Sequence, residues 1–314
     1  MATGVLLGPQ RLAVTVDREL TALNARGING PIAAITAGWQ EREAEDQELQ
    51  AALGNRAINL SLHVRGDAVF LGDPELTAMH RAKQDRLRHL QNLYRGRLAH
   101  AVAAVAELQI ARGPSDLIES EIAAAIEAIR LVDRQHLGRV EDLNREYEAS
   151  ARPSERGIIQ DHRQALADIL ARCCAVAIAG GHVASLLNRL RLFDLGPLIA
   201  DKPILAWSAG AMTLTDRVIL FHDNPPQGRG NAEILDAGLG LFPGMVVLPH
   251  ARRRLLLNDR DRVSLFARRF APAVSVALDE RCSLHFDGER YCAGESTHAL
   301  RSDGVVSLME PTCR

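Results

Sequence analysis

The sequence predicts a three-layer α/β protein: a parallel sheet covered on both faces, with an inserted α-helical hairpin and antiparallel edge strands near the C-terminus. Three observations predict it. Apolar strand-like runs alternate with helix-like segments over the first 75 residues. The same alternation resumes after residue 153. Between them, apolar residues recur at helical spacing over some 75 positions. Alternation of strands and helices is the pattern of a parallel sheet whose faces are both covered. The expected organisation is therefore 1–74 as the first part of the α/β domain, 75–152 as the inserted hairpin, and 153–314 as the second part.

The elements follow in order. Residues 4–7 read as a strand stopped by Gly8-Pro9, and 11–26 as a helix. Residues 31–35 form a buried apolar run, and 39–53 an acidic helix. Residues 59–64 alternate as a strand, and 68–71 follow a Gly66-Asp67 turn as another. Met79, Leu87, Leu90, Tyr94, Leu98, Val102, Val105 and Leu108 then make one helical stripe. Ile118, Ile122, Ile126, Ile129, Val132, Val140, Leu143 and Tyr147 make a second, after the break at Gly113-Pro114. Two long helices joined by a short turn form an αα-hairpin. It reads as a packing cover for the core, a dimerisation element or a wall over an active site. A hinge at Ala151-Arg152-Pro153-Ser154 precedes a helix over 155–172 and a central strand over 175–179. That strand ends in Gly180-Gly181-His182, and the next ends in Trp207-Ser208. Further strands are expected at 218–221, 245–248, 274–278, 283–286 and 305–308. Turn signals such as Asp287-Gly288 and Asp303-Gly304 make the last ones antiparallel.

Composition excludes several classes. The 314 residues are 47% hydrophobic and 24% charged, ordinary for a globular chain. A net charge of −2 gives no footprint for nucleic acid or an anionic membrane. No apolar stretch reaches the length of a transmembrane helix. The N-terminus shows no basic, then apolar, signal-peptide pattern, so a cytoplasmic location is expected. The five cysteines form no CxxC pair, and their odd count reads as reduced thiols. No Cys/His spacing suits zinc, and no cofactor or metal is expected.

The chemistry centres on Ala206-Trp207-Ser208-Ala209-Gly210. A serine between small residues on a strand-to-helix turn projects its hydroxyl from a sharp bend. A nucleophilic serine needs a base, an orienter for that base and N–H donors for the oxyanion. His250 follows the strand at 245–248, on the edge expected to carry Ser208 and Gly180-Gly181. His182 lies on that edge too, as a substrate contact or a helix-start residue. Asp279-Glu280 and Asp223 end strands there and are the acid candidates. Gly180 and Gly181 let backbone approach a tetrahedral intermediate, and the N–H of Ala209 offers a second donor.

The ordered set Ala179-Gly180-Gly181-His182, Trp207-Ser208-Ala209-Gly210-Ala211, Gly238-Leu239-Gly240-Leu241, Pro249-His250 and Asp279-Glu280-Arg281-Cys282-Ser283-Leu284 resembles a family. It is that of aspartyl dipeptidase (peptidase E) and cyanophycinase, serine peptidases of the flavodoxin-like, class I glutamine-amidotransferase-like fold. The resemblance covers residues 170–290 well and 1–75 loosely, and the hairpin does not belong to it. It implies Ser208 as nucleophile, His250 as base and Glu280 as orienting acid, with Asp223 as the alternative. Gly181 and Ala209 would form the oxyanion hole. The chain departs from the family's usual Gly-Gly-Asn or Gly-Gly-Asp at His182, which bears on aspartyl specificity.

The expected activity is hydrolysis of a peptide or amide bond in a small peptide-like substrate through an acyl-enzyme. The alternative is a non-catalytic ligand- or partner-binding protein. An α/β-hydrolase fits less well, because residue 206 is Ala and His250 precedes Glu280. A cysteine amidotransferase lacks its thiol at the turn. Arg252, Arg253 and Arg254 beside His250 suit a carboxylate or a solvated helix start. Acidic or C-terminally free short peptides are therefore the expected substrates, and a homodimer is compatible with the hairpin.

Overall fold

A computed structural model describes residues 2–226 and 230–310. The chain opens with β1 (Thr3–Leu7), α1 (Val16–Ala25), β2 (Ile32–Ile35), a 3₁₀ turn (Ala37–Arg42), α2 (Gln47–Ala52), β3 (Ala57–Asn59) and α3 (Leu62–Gly72). The hairpin follows as α4 (Pro74–Gln109) and α5 (Ser115–Ala151). Then come α6 (Gly157–Arg172), β4 (Ala175–Ile178), α7 (Val183–Leu192), α8 (Leu195–Ile199), β5 (Pro203–Trp207) and α9 (Ala209–Leu214). The last third holds β6 (Arg217–Leu220), β7 (Glu233–Ala237), β8 (Met245–Pro249), α10 (Ala251–Arg254), α11 (Arg260–Phe270) and β9 (Val274–Leu278). It ends in β10 (Ser283–Phe286), β11 (Tyr291–Ala293), β12 (His298–Leu300) and β13 (Val306–Leu308).

Seven strands form the main sheet, in the order β11-β10-β1-β5-β4-β2-β3. The five from β1 to β3 run parallel. β10 and β11 add antiparallel strands at the β1 edge. Every residue of β2 and β4 is buried, which explains their unbroken apolar runs without alternation. Two apolar clusters cover the two faces. One packs Val5, Leu7, Ala34, Ala177 and Trp207 against Val16, Leu20 and Leu49 of α1 and α2. The other packs Leu6, Ile35, Ile178 and Ala206 against α6 to α9 and against Val246 and Leu248 of β8. The register pairs Leu7 with Trp207 and Ala206 with Ile178. The carboxyl ends of β1, β5 and β4 thus meet at one edge.

Four sequence expectations need correction. Residues 68–71 are not a strand but the last turns of α3, and the strand expected over 59–64 stops at Asn59. The cause is local: the buried Glu43 carboxylate accepts the N–H groups of His63 and Val64 at 3.0 Å each, and caps a helix there. The helix expected over 39–53 is split between the 3₁₀ turn and α2, because Gln40 takes a positive φ of 58°. β8 and β9 do not extend the main sheet. They are parallel neighbours in a second sheet, ordered β13-β12-β9-β8, while β6 and β7 pair separately. Finally, Cys173, Cys174 and Cys282 are free thiols, but Cys292 is disulfide-bonded. An odd cysteine count excludes a complete set of pairs, not a single bridge. Cys313 lies outside the described residues.

The hairpin helices, 36 and 37 residues long, bury their own apolar seam of Tyr94, Leu98, Val105, Ile122, Ile126 and Ile129. They also attach to the rest of the chain through buried polar groups. Asp133 bonds Arg269 of α11, whose Nη1 donates to the Ala232 carbonyl at 2.7 Å. The Tyr94 hydroxyl donates to Asp133 Oδ1 at 2.7 Å and accepts the Ile234 N–H at 3.2 Å. No helix among the described residues is long and apolar enough to cross a membrane.

Candidate active site

Ser208 joins β5 to α9 with φ 51° and ψ −122°. That conformation is strained for a residue with a Cβ, and such strain gathers at functional turns. The surrounding backbone enforces it. The Ser208 N–H donates to the Leu7 carbonyl at 3.3 Å, and the Ser208 carbonyl takes the Met212 N–H at 3.2 Å. A Cβ on Gly180 would lie 2.7 Å from the Ser208 Cβ, so only glycine fits beside the hydroxyl-bearing residue. Gly181 has φ 121°, and a Cβ there would strike the Gly38 carbonyl at 2.3 Å. The His182 N–H donates to that same carbonyl at 2.7 Å. Among the described residues, nothing accepts the N–H of Gly181 or of Ala209.

Gly180, Gly181, Ser208, Ala209, His250 and Glu280 line one cleft of about 1410 Å³. His250 reaches it from the end of β8, in the second sheet rather than the first, with φ 58° and ψ 36°. Its Nδ1 is buried and has no hydrogen-bond partner. Burial lowers its pKa, and the Arg254 charge lowers it further, against the opposing effect of Glu280. The imidazole is therefore neutral, and able to accept a proton, to more acid pH than an ordinary histidine. Among the described residues, no hydrogen bond joins Ser208, His250 and Glu280 to one another.

The two other acids near the rim are committed elsewhere. Buried Asp223 accepts the Leu256 N–H at 2.7 Å through Oδ2 and Arg262 Nη2 at 2.5 Å through Oδ1. Asp279 accepts the Arg252 N–H at 3.1 Å, and burial raises its pKa. His182 is exposed, and its Nδ1 accepts the Ser185 N–H at 3.2 Å, so the ring caps α7. Arg252 is also exposed and sits 3.7 Å from Asp279. Arg253 and Arg254 line the cleft, with the Arg254 guanidinium 5.7 Å from the Phe221 ring centre. Neither makes an ion pair among the described residues.

Several cleft residues were not singled out from sequence. Leu12 and Val14, after β1, and Trp39, after β2, line it together with Trp207. They follow carboxyl ends of parallel strands, the rule that located Ser208 and Gly180, so that rule would have found them. Arg95 of the hairpin also lines the cleft, held by Glu233 at 2.8 Å. The hairpin thus supplies part of the wall. Among the described residues, no cluster of His, Cys, Asp and Glu could hold a metal ion.

No curated protein matches the chain. Among solved structures it is similar to a peptidase from an acI-B1 Actinobacterium. The two share 11% identity and a TM-score of 0.42, over 96% of this chain and 91% of that one. The pattern of peptidase family S51 matches residues 132–293, from the second half of α5 to the end of β11. That segment is slightly more than half the sequence and carries Ser208, His250 and Glu280, so the chain belongs to peptidase family S51 and is a serine peptidase.

Proposed function

We propose that Ser208 is the nucleophile of a hydrolase acting on short peptides, with His250 as general base and Glu280 as the acid that orients it. One observation carries the reading: a serine in a strained strand-to-helix turn shares a cleft with a histidine held neutral by burial. The Ser208 hydroxyl attacks the carbonyl carbon of the scissile bond, and the imidazole takes its proton. The N–H groups of Gly181 and Ala209 receive the oxyanion. Donors aimed at developing charge lower such barriers by roughly 3–4 kcal/mol apiece. The imidazolium then protonates the leaving amine. Water, deprotonated by the same ring, releases the acyl group from Ser208.

Glu280 is preferred to Asp223 because it lines the cleft and its charge opposes the depression of the His250 pKa. Asp223 has both oxygens occupied by Leu256 and Arg262. The orphaned Nδ1 of His250 is the natural partner for Glu280. Catalytic hydrogen bonds are often long in a free enzyme and shorten once substrate is bound. The mostly parallel seven-stranded sheet supports the reading of a glutamine-amidotransferase-like arrangement with the hairpin inserted over 75–152, of which the family match takes in 132–152.

Arg253 and Arg254 suit a free terminal carboxylate. Short peptides with a free C-terminus should therefore be hydrolysed in preference to the same peptides amidated, by at least about tenfold in kcat/KM. Equal rates on both, or faster cleavage of folded or long proteins, would remove the arginines from substrate binding.

A further inference from the structure

The cleft has two chemically different sides. On the α1 and α2 face its apolar residues are Val16, Trp39, Leu49, Ala52 and Trp207, with Arg42, Glu45 and Glu48 among them. On the opposite face lie His250, Arg253 and Arg254, cationic or titratable groups set among Met212, Ile219 and Phe221. Both tryptophans of the 314-residue chain are on the first side. Leu12 and Val14 extend that side on a short loop, and they are 81% and 50% exposed. Scattered apolar residues at a surface are ordinary; these two lie in the lining of the cleft and add to its apolar area.

The loop is held in that position. The Gln10 side chain accepts the N–H groups of Thr15 and Val16 at 2.7 and 2.9 Å, and donates to the Gly8 carbonyl at 2.8 Å. Its base is pinned, so residues 11–14 stand at the rim of the cleft. Leu12, Val14 and Trp39 lie outside the segment 132–293 that matches the family, and Trp207 lies within it.

We propose that this wall is the acyl-side subsite, and that it selects short peptides with an apolar side chain immediately before the scissile bond. The proposal rests on Ser208 being the nucleophile and His250 the base. If His250 protonates the leaving amine, the leaving residue lies on the His250 side. Its terminal carboxylate then falls near Arg253 and Arg254. The acyl residue must occupy the other side of Ser208, against the tryptophans. An acidic acyl side chain would meet mainly apolar surface there. Arg11, on the exposed loop tip, is the one wall cation without an ion pair among the described residues; Arg42 is bound to Glu45 at 2.5 Å.

The test compares kcat/KM for Leu-Ala, Phe-Ala, Gly-Ala and Asp-Ala, each with free termini, alongside fluorophosphonate labelling of the same preparation. Leu-Ala and Phe-Ala should exceed Gly-Ala and Asp-Ala by at least about tenfold, the discrimination that an apolar pocket gives. In Leu12→Ser/Val14→Ser, two exposed positions whose change should leave the fold intact, the ratio of Leu-Ala to Gly-Ala should fall about tenfold. Preference for Asp-Ala, an unchanged ratio in the double variant, or no cleavage of any of the four by protein that labels would overturn the subsite. Absence of labelling in folded wild type would instead overturn the assignment of Ser208, and the subsite with it.

Discussion

Asp133 of the hairpin grips Arg269 of α11 with both carboxylate oxygens, Oδ2 on Nε and Oδ1 on Nη2, each at 2.7 Å. The two side chains are 5% and 4% exposed. Through Arg269 Nη1 the pair also holds the Ala232 carbonyl, beside the cleft residues Asn231 and Glu233. The long hairpin is therefore bonded, through a buried charge pair, to a wall of the candidate active site.

Removing one partner of that pair strands a buried charge. Asp133→Ala should cost about 3–5 kcal/mol of stability, read from denaturant unfolding. Asp133→Leu combined with Arg269→Met removes both charges and should recover most of the loss. A single variant as stable as wild type would show that the pair is dispensable.

The two candidate acids should separate cleanly. Glu280→Gln should lower kcat by about 10²-fold or more while leaving the melting temperature nearly unchanged. Asp223→Asn should do the reverse, because it weakens the bonds to Leu256 and Arg262 that hold the chain after α10. Steady-state kinetics and thermal unfolding of both variants decide between them.

Activity should depend on pH through His250. Its pKa is lowered by burial and then by Arg254, so the working neutral form persists below the ordinary histidine value near 6.5. kcat/KM should be flat at neutral pH and fall only as pH drops through that lowered pKa. Arg254→Ala removes one depressing charge, so the inflection should move to higher pH. A profile whose inflection is unmoved by this change would sever Arg254 from the base.

A second histidine governs stability rather than activity. Burial, then the charges of Lys83 and Arg189, holds His80 down to about 4. In the unfolded chain it titrates near 6.5. Below that value the unfolded state binds the extra proton and the folded state does not. The stabilisation is thus complete above pH 6.5 and is lost as pH falls toward 4, by roughly 2–3 kcal/mol. Replacement by phenylalanine, beside the Phe70 ring at 4.7 Å, should flatten that part of the stability curve.

The sequence announces features set by local backbone chemistry. Gly180, Gly181 and Gly210 mark close approaches that tolerate no Cβ, and the apolar runs of β2 and β4 mark buried strands. The hairpin is legible because its apolar stripes keep helical period through both helices. What escaped depends on distant partners. Glu43, in the preceding 3₁₀ turn region, caps 62–72 as a helix through a contact that no local pattern around 62–72 shows. β8 pairs with β9 in a separate sheet, although its apolar run equally suits the main one. Trp39 and Leu12 read as helix residues until the strand ends brought them to one cleft.

The central claim is that Ser208 is an activated nucleophile, and active-site labelling tests it most directly. A fluorophosphonate probe should label the folded wild-type protein at one peptide, the one containing Ser208. Ser208→Ala, with an unchanged circular dichroism spectrum, should not label. Folded wild type that fails to label, or a Ser208→Ala variant that labels equally, would contradict the account.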